Sequence, residues 1–168
     1  MALTGDTRVP VAGGELRRIE DLCGEGQPVQ LPSVNGEYRL ELRPTGQFFD
    51  NGVKPVFKVK TALGRELTAT GNHPLLTLDG WWRDVEAQSG VCTKEFYGTP
   101  KAHKKGFRRS TIQTLGEFFG ATELLDACLD DLYWDTITSI TPAGEAQTFD
   151  LEVPGTHNFV ANDLIVHN

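Results

Sequence analysis

Turn dipeptides punctuate the chain from Leu3 to Val91, and they constrain its fold more than any other feature. Gly13-Gly14, Asn35-Gly36, Asn51-Gly52, Gly64 and Asp79-Gly80 supply the positive-φ positions that tight hairpins require. Between them lie short β-branched or alternating runs at 8–11, 29–31, 38–42, 56–61, 66–70 and 75–78, which read as strands. Pro32, Pro44 and Pro55 stand at the edges of these runs, where a missing N–H breaks no ladder. The pattern predicts an antiparallel β fold of interlocked hairpins rather than a parallel sheet with crossover helices. The helical text in this half is confined to 16–22.

Beyond Cys92 the composition changes. Lys94, Lys101, Lys104, Lys105, Arg108 and Arg109 face a single acid, Glu95, in a glycine- and proline-bearing stretch that reads as a basic, solvated connection. From Ile112 to Leu132 apolar residues fall at helical spacing with acids on the remaining face, predicting one central amphipathic helix with a break near Gly116 or Gly120. Strand text resumes at 134–140 and 148–153, and a closing hairpin is expected from 158–161 and 164–166 around Asn162-Asp163.

With 168 residues, one domain is expected. Hydrophobic residues make up 39% and glycines number 18, a globular balance that excludes global disorder. The net charge of −7 repels phosphate backbones and anionic membranes. No apolar run approaches the roughly 20 residues of a membrane span, and 1–10 lacks a charged segment followed by an apolar one. A cytosolic, monomeric protein without membrane or nucleic-acid partners is therefore expected. Cys23, Cys92 and Cys128 are odd in number and widely spaced, which argues against a disulfide framework or a zinc ribbon and for small buried hydrophobes.

Four features can carry chemistry. The closing dipeptide His167-Asn168 follows an apolar strand; an asparagine side-chain nitrogen can attack its own carbonyl to form a succinimide, with a neighbouring imidazole moving the protons. Thr70-Gly71-Asn72-His73 sets a hydroxyl and an imidazole three residues apart, able to converge on one carbonyl. Asp150, flanked by Phe149 and Leu151 and followed by His157, is either an outward-facing strand charge or a desolvated acid suited to proton transfer. Strand alternation favours the first. The segment 1–7 acquires meaning only beside the other three.

Together these residues resemble an intein, a self-excising protein-splicing domain, and most closely those that interrupt replicative DNA helicases. Ala2-Leu3-Thr4-Gly5-Asp6-Thr7 is similar to the family's opening Cys-Leu-x-Gly-Asp-Thr segment, and Thr70-Gly71-Asn72-His73 to its Thr-x-x-His motif. Thr148 to Val153, Gly155 to Asp163 and Val166-His167-Asn168 are similar to its closing blocks. The resemblance implies a mostly β, horseshoe-shaped Hint fold with short helices and both termini together. It also implies an autocatalytic sequence without a cofactor: an acyl shift at the first residue, transesterification to a nucleophile after the intein, cyclisation of the last asparagine, and ligation of the flanking host segments. Thr70 and His73 would then act on the upstream bond, Asp150 on the acyl shift and transesterification, and His157 and His167 on the succinimide step at Asn168.

Two departures follow. The position of the first nucleophile holds Ala2 behind Met1, and nothing follows Asn168, so this chain is expected not to splice and to represent a Cys-to-Ala variant with an added Met. Thr93 to Asp131, at about 40 residues, sits where larger inteins carry a homing endonuclease but is too short to be one, so a mini-intein is expected. The alternatives are a hedgehog-like autocleavage domain, an inert β interaction module that would scatter Thr70, His73, Asp150 and Asn168, and a metal hydrolase using His73, His157 and His167.

Overall fold

The computed structural model describes residues 1–76, 82–85, 109–122, 131–132 and 134–168. The order of elements is β1 (Leu3–Thr4), β2 (Arg8–Pro10), β3 (Leu16–Arg18), α1 (Ile19–Glu25), β4 (Gln30–Val34), β5 (Leu40–Pro44), β6 (Phe48–Thr61), β7 (Glu66–Thr70), β8 (Pro74–Leu76), β9 (Trp82–Asp84), α2 (Arg109–Phe119), β10 (Ile137–Leu151), β11 (Asn158–Ala161) and β12 (Leu164–His167). The expected mostly β fold of antiparallel hairpins is what the chain adopts. No helix among the described residues is long and apolar enough to cross a membrane.

Two long strands, β6 and β10, pair along almost their whole length and close into a small barrel with β7 and β1. The two-residue β1 is wedged between β10 and β7, with Leu3 opposite both Phe149 and Ala69. A second sheet, in the order β11, β12, β8, β9, shares its middle seam through Val166 and Leu75. The buried cluster that includes Leu3, Val59, Leu67, Leu151, Phe159 and Val166 lies under both layers. Fully burying a side chain such as Phe159 contributes about 2–3 kcal/mol.

Several expected elements are corrected. The helical text at 16–22 splits into β3 and α1, because Leu16 to Arg18 pair with β2 and the helix starts only at Ile19. Asn51-Gly52 is not a hairpin turn: it is a bulge inside β6, with Gly52 at φ 71°, and the strand expected at 56–61 starts at Phe48. The strands expected at 134–140 and 148–153 are the single β10, whose Gly144 (φ 81°) lies at an irregularity between Pro142 and Glu145. In both cases a long partner strand recruits residues whose local preference is to turn. Of the Asn35-Gly36 pair, neither carries the positive φ; Tyr38 does, at 59°.

The expected central helix is found as α2, which starts earlier than Ile112 and stops at Gly120, whose left-handed φ of 62° ends it. Its Phe118 and Phe119 are exposed. Of the remainder of that expectation, Asp131 and Leu132 are not helical, and residues 123–130, the basic run 94–108, Asp79-Gly80, Cys92 and Cys128 lie outside the described residues.

Candidate functional site

The upstream half of the site grows from β1 and β7. Ala2 is fully buried; its N–H donates to Thr70 Oγ1 at 3.0 Å, and its carbonyl accepts from the Thr70 N–H at 2.9 Å. The chain then turns through Gly71-Asn72, the His73 N–H donating to the Thr70 carbonyl at 3.0 Å. This short turn leaves Asn72 exposed and buries Thr70 and His73. The His73 carbonyl accepts from Val85 N–H at 3.0 Å, which fixes the ring's root.

His73 is wholly buried, and neither ring nitrogen has a hydrogen-bond partner within the protein. Burial pushes its pKa down to about 3, and the positive charges of the Met1 amino group and of His167 act in the same direction. The ring is neutral throughout the physiological range.

Asp150 corrects the expectation of an outward-facing charge. It is 9% exposed, because β10 belongs to a closed barrel and its pleat turns Thr148 and Asp150 inward while Phe149 is only half-buried. Burial raises its pKa to about 7, opposed by the Leu151 N–H, which donates to Asp150 Oδ1 at 3.0 Å, and by the charges of the Met1 amino group and Lys54. A carboxyl poised near neutrality can both take and give a proton.

The downstream half is the β11–β12 hairpin. Asn162 and Asp163 both adopt left-handed φ, 47° and 61°, the conformation of a two-residue hairpin turn. Asn158 pairs with His167 across the ladder, and the Asn168 N–H donates to the His157 carbonyl at 3.1 Å. His157 itself has φ 53°, and its ring stacks near that of His167, with centroids 6.4 Å apart and planes 16° from parallel. Burial and the charge of His157 lower the His167 pKa, opposed by a hydrogen bond that the ring donates to the Asn168 backbone. Asp150, His157 and Asn168 line one cavity of about 290 Å³ with Gln47, Phe49, Leu151 and Glu152.

Two supporting residues escaped the sequence reading. The buried Asn158 accepts from the Val34 N–H (2.7 Å) and Ser33 Oγ (3.1 Å) and donates to the carbonyls of Val34 and Thr156 (both 2.9 Å), clamping the hairpin to β4. Asn162 accepts from the Arg8 N–H at 2.7 Å and donates to the Glu66 carbonyl at 2.8 Å. A polar residue at a strand start or turn carries no signal of such distant partners. Cys23 donates to the Asp150 carbonyl at 3.5 Å, and burial raises its thiol to about 11, opposed by a backbone hydrogen bond at Phe49; it stays a thiol at neutral pH. No three His, Cys, Asp or Glu side chains among the described residues gather to hold a metal ion.

A Thr-x-x-His turn after β7 bonded to the chain's first residues, an inward carboxyl, and a closing His-Asn hairpin that shares a cavity with that carboxyl are the parts that a protein-splicing domain requires. The model of the intein splicing domain matches residues 9–168, and the chain belongs to that family. It is 40% identical over 157 residues to the replicative DNA helicase DnaB of a Synechocystis species, covering 86% of this chain and 18% of that protein. It is 34% identical over 111 residues to the DnaB helicase of Rhodothermus marinus, covering 60% of this chain and 12% of that one. The chain thus spans only a small part of the helicases it matches.

Among solved structures, the DnaB intein from Synechocystis superposes with a TM-score of 0.70 at 34% identity, covering 99% of this chain and 96% of that one. A DnaB mini-intein variant superposes at 0.73 and 34% identity, covering 99% and 93%. The Hint fold and protein splicing as the function of the family are established by these likenesses.

Proposed function

We propose that this domain excises itself from a replicative DNA helicase, its partners being the host segments on either side, and that the seven site residues divide between two bonds. Thr70 and His73 act on the bond preceding Ala2. The Thr70 hydroxyl holds the scissile nitrogen, and the neutral His73 ring binds and polarises the peptide without bringing a charge into the cleft. With a cysteine at position 2, the thiol proton passes to Asp150, sulfur attacks the upstream carbonyl carbon, and the proton returns to the departing nitrogen as the C–N bond breaks. The resulting thioester then passes to a nucleophile after Asn168. His157 and His167 serve the attack of the Asn168 side-chain nitrogen on its own carbonyl, which releases the downstream flank.

As the sequence stands, Ala2 offers a methyl group, which cannot attack a carbonyl, so the first step is blocked. The single observation that carries the reading is the Ala2 N–H on Thr70 Oγ1. The inert-module alternative expects these groups apart. The segment 93–131 is a linker that stands in place of a homing endonuclease, and the domain acts as an acidic monomer that binds no nucleic acid.

The test restores Ala2→Cys, replaces Met1 with a foreign flank, adds a second flank beginning with serine after Asn168, and weighs the products. A ligated pair of flanks supports splicing, cleaved but unjoined flanks favour hedgehog-like processing, and an unchanged precursor overturns both.

A further inference from the structure

The pairing of β6 with β10 slips by one residue where β1 joins the barrel. Thr148 faces Gly52 and Phe149 faces Asp50, so Asn51 is the extra residue of a bulge. On the opposite side of β10, Leu3 and Thr4 pair with the same Phe149 and Thr148. The irregularity is thus aligned with the first residues of the chain.

The bulge is held from three directions. Gly52 takes a φ of 71°, which a glycine adopts without strain. Its N–H donates to Asp50 Oδ1 at 3.0 Å, and its carbonyl accepts from Thr148 Oγ1 at 2.8 Å. Gln147 Nε2 donates to the same Asp50 carboxylate. A bulge beside a reacting centre re-aims a side chain that regular pleating would send elsewhere. Here it brings Asn51 Nδ2 to 3.5 Å from the carbonyl oxygen of Met1.

That oxygen belongs to the peptide bond whose nitrogen is held by Thr70. We propose that Asn51 is a further residue of the upstream site, its side-chain amide donating to the scissile carbonyl and to the oxyanion that forms there. The inference rests on the reading of the Met1–Ala2 bond as the upstream scissile bond. When a sulfur at position 2 attacks the Met1 carbonyl carbon, a C–S bond forms and the carbonyl electron pair moves to oxygen. On collapse the C=O is restored, the C–N bond breaks and the thiol proton ends on the nitrogen. A donor aimed at the oxygen is worth more in that intermediate than in the resting amide, and so it lowers the barrier. Thr70 and Asn51 grip the two ends of one amide from β7 and β6.

The first measurement uses the chain as it is, with ¹³C in the Met1 carbonyl. Asn51→Ala and Asn51→Asp should both move that resonance upfield while the remaining amide spectrum keeps its dispersion; an unmoved carbonyl overturns the proposal. The second uses Ala2→Cys with an upstream flank and follows thiol-induced release of that flank against release at Asn168. Asn51→Ala should slow the upstream step by about tenfold, less than the hundredfold or more typical of a buried oxyanion donor because the contact is long and exposed. Asn51→Asp, which brings a negative charge to the developing oxyanion, should slow it further, and neither should alter downstream release. Equal slowing of both releases would assign Asn51 a structural role only and overturn the proposal. If Ala2→Cys alone gives no thiol-induced release, the scissile-bond reading fails with it; if Ala2→Cys reacts and Asn51→Ala reacts as fast, only the present inference fails.

Discussion

The amide of Ala2 and the hydroxyl of Thr70, 68 positions apart in sequence, meet at 3.0 Å in a buried setting. The contact exists because β1 is held in the barrel beside β7, with the Thr70 N–H also bonded to the Ala2 carbonyl. The backbone bond survives substitution at Thr70 and the side-chain bond does not. In Ala2→Cys with both flanks attached, Thr70→Ala should therefore slow thiol-induced upstream release by about ten- to a hundredfold, while release at Asn168 continues. Thr70→Ser, which keeps the hydroxyl, should recover most of the rate. Mass-resolved product time courses separate the two bonds; a Thr70→Ala variant with unimpaired upstream release contradicts the role.

Two buried groups pull the stability in opposite directions as pH changes. Asp150, raised from 3.8 to about 7, holds in the folded state a proton that the unfolded chain has lost, so its contribution is full below about pH 4 and is lost as pH rises to about 7. His73, lowered from 6.5 to about 3, behaves in reverse: the unfolded chain gains a proton that the folded one refuses, so stability falls as pH drops from about 6.5 toward 3. Between about pH 4 and 6.5 the two slopes, each at most about 1.4 kcal/mol per pH unit, oppose one another. Denaturant midpoints should vary little over that window in the unsubstituted chain. Asp150→Asn should lose stability on acidification, and His73→Gln should lose it as pH rises. Slopes of the same sign in the two variants would refute the burial of one of them.

Local chemistry was legible in the sequence, and distant pairing was not. The Thr70 to His73 turn and the Asn162-Asp163 hairpin each lie within a few residues, so their spacing alone predicts how they fold. Asn51-Gly52 and Gly144 carry turn signals just as strong, yet both are absorbed as irregularities in β6 and β10, because pairing along two long strands outweighs a local turn preference. Alternation alone puts Asp150 on the wrong face for a related reason: it gives a period, but the barrel decides which side is inside. A two-residue strand such as β1 has no period at all. The contact of the chain's first residues with Thr70 is implied by the resemblance of ordered motifs, and no local rule supplies it.

Asn158 should prove as important to the downstream site as the residues flanking it. It is 5% exposed and satisfies both the N–H and the carbonyl of Val34. Truncation leaves those two buried groups unpaired, at a cost of about 1–3 kcal/mol each before relaxation. Asn158→Ala should lower the unfolding free energy by about 2–4 kcal/mol, measured by denaturant titration with an unchanged m-value. In the flanked chain, release at Asn168 should slow more than upstream release, since β11 carries the residue paired with His167.

The stacked pair His157 and His167 gives the downstream site a titration that can be read directly. Burial is the larger cause of the lowered His167 pKa, and the charge of His157 is the next. His157→Ala should therefore raise the His167 pKa while leaving it below its ordinary value, as followed by side-chain ¹H–¹⁵N spectra across pH 4 to 8. In the flanked chain the same substitution should slow release at Asn168 by up to about a hundredfold, the contribution expected of a proton-transfer partner. Asn168→Ala should abolish that release altogether while thiol-induced upstream release persists. Downstream release that continues in Asn168→Ala would mean that the bond is broken by hydrolysis and not by cyclisation.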